Sequence, residues 1–393
     1  MNAGLLTRLT VELDAQSAAT GLRRDLVASG PQGTTLEVAG ETLVNFASND
    51  YLGLAGDPEV IDSARRALGE HGLGVSAGRV LCGTRGVHGE LEASIAGLVG
   101  AEDSVLYSSC FDANLGVFAA LLGADDVVLS DSLNHASLID GIRLTRARTR
   151  VYAHADLDDL ERGLVYSQDA RHRLIVTDGV FSMDGDIAPL PALCKLAEQY
   201  DAALLVDDSH ATGVLGATGA GTAEYFGVQH VDVLTGTLGK ALGGGAGGFV
   251  AGPRAVVETL RQSSRPYIFT NAMAPALAVA ALTSIRIARE RSELRERLSA
   301  NTAWLRGALS DLGYDVLPGE HPIVAVMLRG GTLARDVAEA LRREGALAFA
   351  LSHPVVPAGE ERIRVQVSAA HTSGQLEFAA AAFARARTAL AAA

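Results

Sequence analysis

Apolar positions along the chain alternate between two rhythms. Short runs such as Ala202-Ala203-Leu204-Leu205-Val206 are hydrophobic at consecutive positions, the signature of strands buried on both faces. Runs of this kind predict strands at 104–107, 126–130, 173–178, 203–207, 231–235 and 247–251. Between them lie segments with helical spacing, of which 190–200 is the clearest. Strand and helix in alternation predict an α/β fold, with a mostly parallel sheet covered by helices on both sides. Ahead of it, 8–28 reads as an amphipathic helix ending before Gly30-Pro31. The stretch 272–312, rich in helix formers and charges, leaves the large unit. A strand at 322–328, a helix at 333–344, a strand at 362–368 and a last helix from Gly374 then build a smaller α+β unit. The expected division is 1–45 for an N-terminal helix and arm, 46–285 for a large domain and 286–393 for a small C-terminal domain.

Composition narrows the function more than the fold. A net charge of −13 over 393 residues leaves no global basic field for nucleic acid or an anionic membrane. A small anionic substrate therefore needs local arginines. Cys82, Cys110 and Cys194 have no metal-ligand spacing and are an odd set, which argues against a disulfide framework or a zinc site. With no signal-like segment and no apolar run of about twenty residues, the expectation is a cytoplasmic protein without a membrane partner.

The candidate chemistry lies at the ends of the predicted strands. Asp207 closes one strand and His210 follows three residues later, where open α/β sheets bind ligands. A buried carboxylate needs a partner to stay charged, and a protonated ring nitrogen is one; a structural ion pair with Asp208 as a helix cap is the plainer alternative. Lys240, within Gly236-Thr237-Leu238-Gly239-Lys240-Ala241-Leu242-Gly243, can be desolvated into an amine nucleophile. A surface lysine or a nucleotide loop competes with that reading. The glycines come too late in the sheet for a dinucleotide fingerprint, however, and Ala241 lacks the hydroxyl that follows a phosphate-loop lysine. Ser108-Ser109-Cys110-Phe111 opens a helix whose first amides suit a phosphate, or are simply capped. His135 and Ser182 each follow a strand and each has an ordinary structural reading. The order is more telling than any member: phosphate turn, histidine, serine, Asp-x-x-His, lysine, each at the end of a successive strand.

That order resembles the α-oxoamine synthases, fold-type-I pyridoxal-phosphate enzymes that join an amino acid to an acyl thioester. Ser48-Asn49-Asp50-Tyr51-Leu52-Gly53-Leu54, Thr177 through Gly185 and Ser368-Ala369-Ala370-His371-Thr372 are family phrases. Within the family the likeness is greatest to the glycine C-acetyltransferase branch, and it spans essentially the whole chain. The resemblance implies pyridoxal 5'-phosphate held as a Schiff base on Lys240. Its phosphate would lie on the amides of Cys110 and Phe111 beside Thr237, with His135 stacked on the ring. Ser182 and His210 would meet the phenolic oxygen, and Asp207 the pyridinium. Thr270 and Asn271 would reach the phosphate of a neighbouring subunit, implying a homodimer with the active site at its interface. Asn49 and Arg364 would hold the glycine carboxylate, for which a guanidinium fork is suited. The implied reaction condenses glycine with acetyl-CoA to 2-amino-3-oxobutyrate, or runs the reverse in threonine breakdown. Gly21-Leu22-Arg23-Arg24 departs from that branch and resembles the 8-amino-7-oxononanoate synthases, in which an arginine matching Arg23 meets the acyl group. A longer acyl donor is therefore the same-class alternative. A nicotinamide-dependent dehydrogenase and a scaffold without cofactor are the different-class ones.

Overall fold

The structure is a computed structural model that describes residues 3–20, 25–229, 231–330 and 332–391. After a first helix, Ala3–Thr20, the chain forms β1 (Ala28–Ser29), β2 (Thr35–Val38) and β3 (Glu41–Asn45). The predicted helix at 8–28 starts and stops earlier than expected. Its leucines are exposed, Leu5 and Leu13 by about half.

The main sheet follows, with β4 (Asp103–Tyr107), β5 (Val127–Asp131), β6 (Arg148–Tyr152), β7 (Arg173–Asp178), β8 (Ala203–Asp207), β9 (Val233–Thr237) and β10 (Gly248–Gly252). Their spatial order is β4-β10-β9-β8-β7-β5-β6. β10 runs antiparallel to both neighbours, whereas β5 through β9 pair in parallel. The sheet is therefore mixed but mostly parallel, as expected. β6 was not anticipated, because Arg148-Thr149-Arg150-Val151-Tyr152 is an edge strand with only Tyr152 buried and has no apolar run. The central strands β7 and β8 are buried at almost every position, which is why they read as continuous hydrophobic words.

Two helices, Pro275–Glu290 and Ser292–Asp311, lead out of this layer. β11 (Asp315–Val316), β12 (Ile323–Met327), β14 (Phe349–Leu351) and β15 (Arg362–Gln366) form a second, antiparallel sheet. It is backed by the helices Leu333–Arg343 and Ser373–Ala391. β13 (Ala346–Leu347) does not join it; it pairs in parallel with β3, so the arm at 28–45 and a C-terminal segment share a third sheet. One apolar cluster spans both main layers, joining Leu238 and Phe249 to Ile323, Val365 and Phe383. β15 approaches the carboxyl side of the main sheet, where Arg364 donates to the carbonyl of Ser182, four residues beyond β7. Among the described residues no helix is long and apolar enough to cross a membrane.

Candidate functional site

A cavity of about 230 Å³ opens at that junction, and the predicted residues Cys110, Phe111, His135, Ser182, Asp207, His210, Thr237 and Lys240 all line it. Adjacent parallel strands bring their carboxyl ends to one edge, so residues over a hundred positions apart in sequence converge.

Asp207 ends β8 with its side chain almost fully buried. Its carboxylate accepts hydrogen bonds from Asn114 Nδ2 (2.7 Å) and the Ser209 N–H (2.9 Å), and the Cys110 thiol lies 3.7 Å away. These donors are neutral, so the charge has a hydrogen-bonded seat but no countercharge among them. A protonated ring nitrogen suits that vacancy in charge. Lys240 lies after β9 in the same cavity. Burial lowers its amine below the usual lysine range, while the Asp207 charge pulls in the opposite direction. A less readily charged amine is a better nucleophile and base.

Asp208, one residue on, has a different task. It is fully buried, takes bonds from the Thr222 N–H (2.8 Å) and hydroxyl, and is pushed up to about 7 by burial. A Cβ on Gly179 or Gly221 would come within 2.0–2.1 Å of its oxygens. It ties loops together behind the cavity.

The helix Cys110–Leu121 begins at the cavity with Ser109 as its cap, the Ser109 hydroxyl accepting from the Asp112 N–H at 3.0 Å. The amides of Cys110 and Phe111 are left at the helix mouth, where an anion is favoured. Gly248 permits this approach, since a Cβ there would lie 2.2 Å from the Cys110 nitrogen. Thr237 accepts from the Gly239 N–H at 3.1 Å, which shapes the turn leading to Lys240.

His135 is oriented by residues that were not singled out for this task. Asn114 Nδ2 donates to both Asp207 and the Ser137 hydroxyl (2.9 Å), and that hydroxyl lies 2.7 Å from His135 Nδ1. The His135 amide donates to Asp178 at 3.0 Å. Asn114 follows Cys110 by four residues, one helical turn, and that spacing was the available signal. Arg364, on β15, is half-buried and donates to the Ser182 carbonyl at 2.9 Å, so a cation from the second sheet overlooks the cavity. Asn49 lies 3.2 Å from the Tyr51 hydroxyl.

Thr270 and Asn271 are not in this cavity. Both are exposed and line a separate hollow with Arg79 and Tyr267. Arg23 lies outside the described residues. A larger cavity of about 800 Å³ adjoins the first through His135 and Ser182. It is lined mainly by apolar groups, among them Ile139, Phe181, Met183 and Val355.

Comparison with known proteins agrees with the cavity's chemistry. The profile for aminotransferase class I and II matches residues 41–383. The chain is 46% identical to 2-amino-3-ketobutyrate coenzyme A ligase of Escherichia coli K12 over 389 residues, 98% of each protein. It is 43% identical to 8-amino-7-oxononanoate synthase 1 of Bacillus velezensis over 347 residues, 88% of each. Among solved structures, a serine palmitoyltransferase from S. paucimobilis with a bound PLP–myriocin aldimine superposes with a TM-score of 0.93 at 30% identity, covering both chains fully. With a buried carboxylate and a half-buried lysine facing one cavity of this fold, the chain belongs to the class I and II aminotransferase family, among its pyridoxal-phosphate-dependent α-oxoamine synthases.

Proposed function

We propose that this enzyme is a glycine C-acetyltransferase, interconverting glycine plus acetyl-CoA with 2-amino-3-oxobutyrate plus CoA. The observation that carries the reading is the meeting of the Lys240 amine and the Asp207 carboxylate in one cavity, in a chain so close in sequence to a 2-amino-3-ketobutyrate coenzyme A ligase.

Pyridoxal phosphate, when bound, supplies an electron sink that makes the glycine Cα–H bond acidic. Asp207 would hold the ring nitrogen's proton, and the Cys110 and Phe111 amides with Thr237 would hold the phosphate. His135 would cover the ring face, and Ser182 and His210 would meet the phenolic oxygen. Lys240 would carry the cofactor at rest. With glycine in its place, the Lys240 amine would be free to take the Cα proton. Arg364 and Asn49 would grip the glycine carboxylate and so aim the Cα–H bond. The carbon then attacks the thioester carbonyl of acetyl-CoA, and the C–S bond breaks to release CoA. The adjoining apolar cavity offers the thioester an approach past His135.

The working form is read as a homodimer. Exposed Leu81 and Phe269 flank the hollow that holds Thr270 and Asn271, which offers an apolar face for a second copy and a route to its phosphate. Cys82, Cys110 and Cys194 are free thiols, in keeping with a reducing compartment such as the cytoplasm. A second reading, a longer acyl donor, draws support from the adjoining cavity, which is roomier than an acetyl group needs. The test is CoA release from acetyl, succinyl and pimeloyl thioesters with glycine. Acetyl-CoA should give the highest kcat/KM. Strong preference for a dicarboxylic donor would leave only the broader family.

A further inference from the structure

Tyr51 is fully buried and belongs to none of the roles assigned above. Its hydroxyl lies 2.8 Å from His210 Nδ1, 3.1 Å from Gln366 Oε1 and 3.2 Å from Asn49 Oδ1. It therefore joins the loop before the main sheet, the cavity wall and β15.

Counting protons decides what His210 can do. The Gln366 amide is oriented by its own bond, since Nε2 donates to the Ala47 carbonyl at 2.8 Å. Its oxygen must then face Tyr51. That oxygen is only an acceptor, and with Gln366 1% exposed it takes its proton from the phenol. Tyr51 has a single proton. If it goes to Gln366, the short contact with His210 requires Nδ1 to bring a proton of its own. Were it instead to go to His210, a buried amide oxygen would lose its donor, at a cost of about 1–3 kcal/mol. The ring itself stays neutral, because burial and then the Lys240 charge keep it well below the usual histidine range. A neutral ring with a proton on Nδ1 has none on Nε2. His321 steadies the same residue from behind, its Nε2 lying 2.9 Å from the His210 carbonyl.

We propose that Tyr51 and Gln366 are a positioning pair that holds the proton of His210 on Nδ1, so that the Nε2 edge meets the cavity as a hydrogen-bond acceptor. The inference rests on the reading of this cavity as the cofactor site. It makes β15 a contributor, through Gln366, to the edge that His210 presents to the cavity. The proton pattern is thus shared between the two layers of the molecule.

The test uses the full-length enzyme labelled with ¹⁵N-histidine, read before and after pyridoxal phosphate is added, with His210 identified by the signals missing in His210→Asn. The expected result is a pyrrole-type shift at Nδ1 and a pyridine-type shift at Nε2. The reverse pattern in the parent overturns the proposal, whether or not glycine and acetyl-CoA are substrates. Gln366→Leu removes the nearer of the two competing acceptors and, combined with Asn49→Ala to remove the other, should reverse the two shifts. It should also lower, by at least half a unit, the midpoint pH of the bound cofactor's visible band, because a donor facing the phenolic oxygen spreads its charge and loosens its hold on a neighbouring proton. Gln366→Glu keeps an acceptor and should retain the parent pattern. A double variant that binds cofactor with unchanged shifts refutes the pair. Should that variant not fold, the parent's own shifts still decide.

Discussion

The cofactor cavity and the hollow around Thr270 and Asn271 were both legible as parts of one site, yet the single chain treats them differently. In the cavity three of the groups are already held: Asp207 by Asn114 and Ser209, His135 by Ser137, His210 by Tyr51. At the hollow, Thr270 and Asn271 are exposed, beside a phenylalanine left 78% exposed. Preorganised groups favour chemistry because they need no rearrangement when charge develops. On the homodimer reading, the contrast separates what one chain completes from what it would lend to another.

The largest expected effect breaks the cavity side. Lys240→Ala should abolish the visible band formed with pyridoxal phosphate and lower turnover on the order of 10⁴-fold or more, read by absorbance and CoA release. Borohydride reduction of the parent should label Lys240 alone; a label elsewhere would reassign the site. Next, Asp207→Asn keeps the shape but cannot hold a ring proton. A loss of roughly a hundredfold or more in turnover is expected, with cofactor still bound. Near-normal turnover would show that Asp207 only organises its neighbours.

The hollow is tested by complementation. Asn271→Ala should weaken cofactor binding by about tenfold, worth ~1.4 kcal/mol, while leaving the dimer intact. On the homodimer reading, mixing it with Lys240→Ala should recover tight cofactor binding and activity, because one of the two shared sites would then have both residues. No recovery would place Asn271 outside the partner's site. Smaller still, Arg23→Ala should leave acetyl-CoA turnover within about threefold, the scale of a peripheral contact. Loss of a preference for a dicarboxylic donor would favour the longer-acyl reading.

The smallest effect concerns His154, which bridges Asp131 (3.0 Å) and Asp186 (2.9 Å) beneath the loop bearing Ser182. Burial pulls its pKa down, but the two carboxylates outweigh this and raise it to about 10 from an ordinary 6.5. A raised folded-state value means that the stabilisation is complete below pH 6.5 and is lost as pH climbs to 10. Thermal unfolding of the parent should therefore lose a few degrees across that range, and His154→Gln should flatten the loss. Parallel curves would show that the bridge is not ionised.

Most of the cavity was readable because its residues end strands that are themselves readable; Asp207 follows an unbroken apolar run, and Lys240 follows a short buried strand through a glycine-rich turn. Where the pattern was quiet, the reading stopped. β6 has a single buried side chain, so Arg148-Thr149-Arg150 gave no alternation to detect. The first helix was drawn too long because an exposed helix has no packing to mark its end. Asn114, Ser137 and Gln366 act through other side chains, and such work depends on distances between elements, which spacing within one element does not encode. Tyr51 was visible as part of a phrase, but its three contacts reach 159 and 315 residues away as well as to its near neighbour Asn49.

The seam where β3 meets β13 has a bearing on how the protein is made. Gln366 N–H bonds to the Phe46 carbonyl, Ala369 N–H to that of Tyr51, and Phe46 stacks on His371 with ring centroids 4.4 Å apart. The stretch that carries Asn49 and Tyr51 is made well before several of its partners, 318 residues before in the case of Asp50 and Ser368. Contacts so distant in sequence form late. A nascent chain halted before residue 362 would have its main sheet and its lysine but neither Arg364 nor Gln366. Synthesis past β15 is thus a precondition for the Arg364 and Gln366 contacts at the cavity.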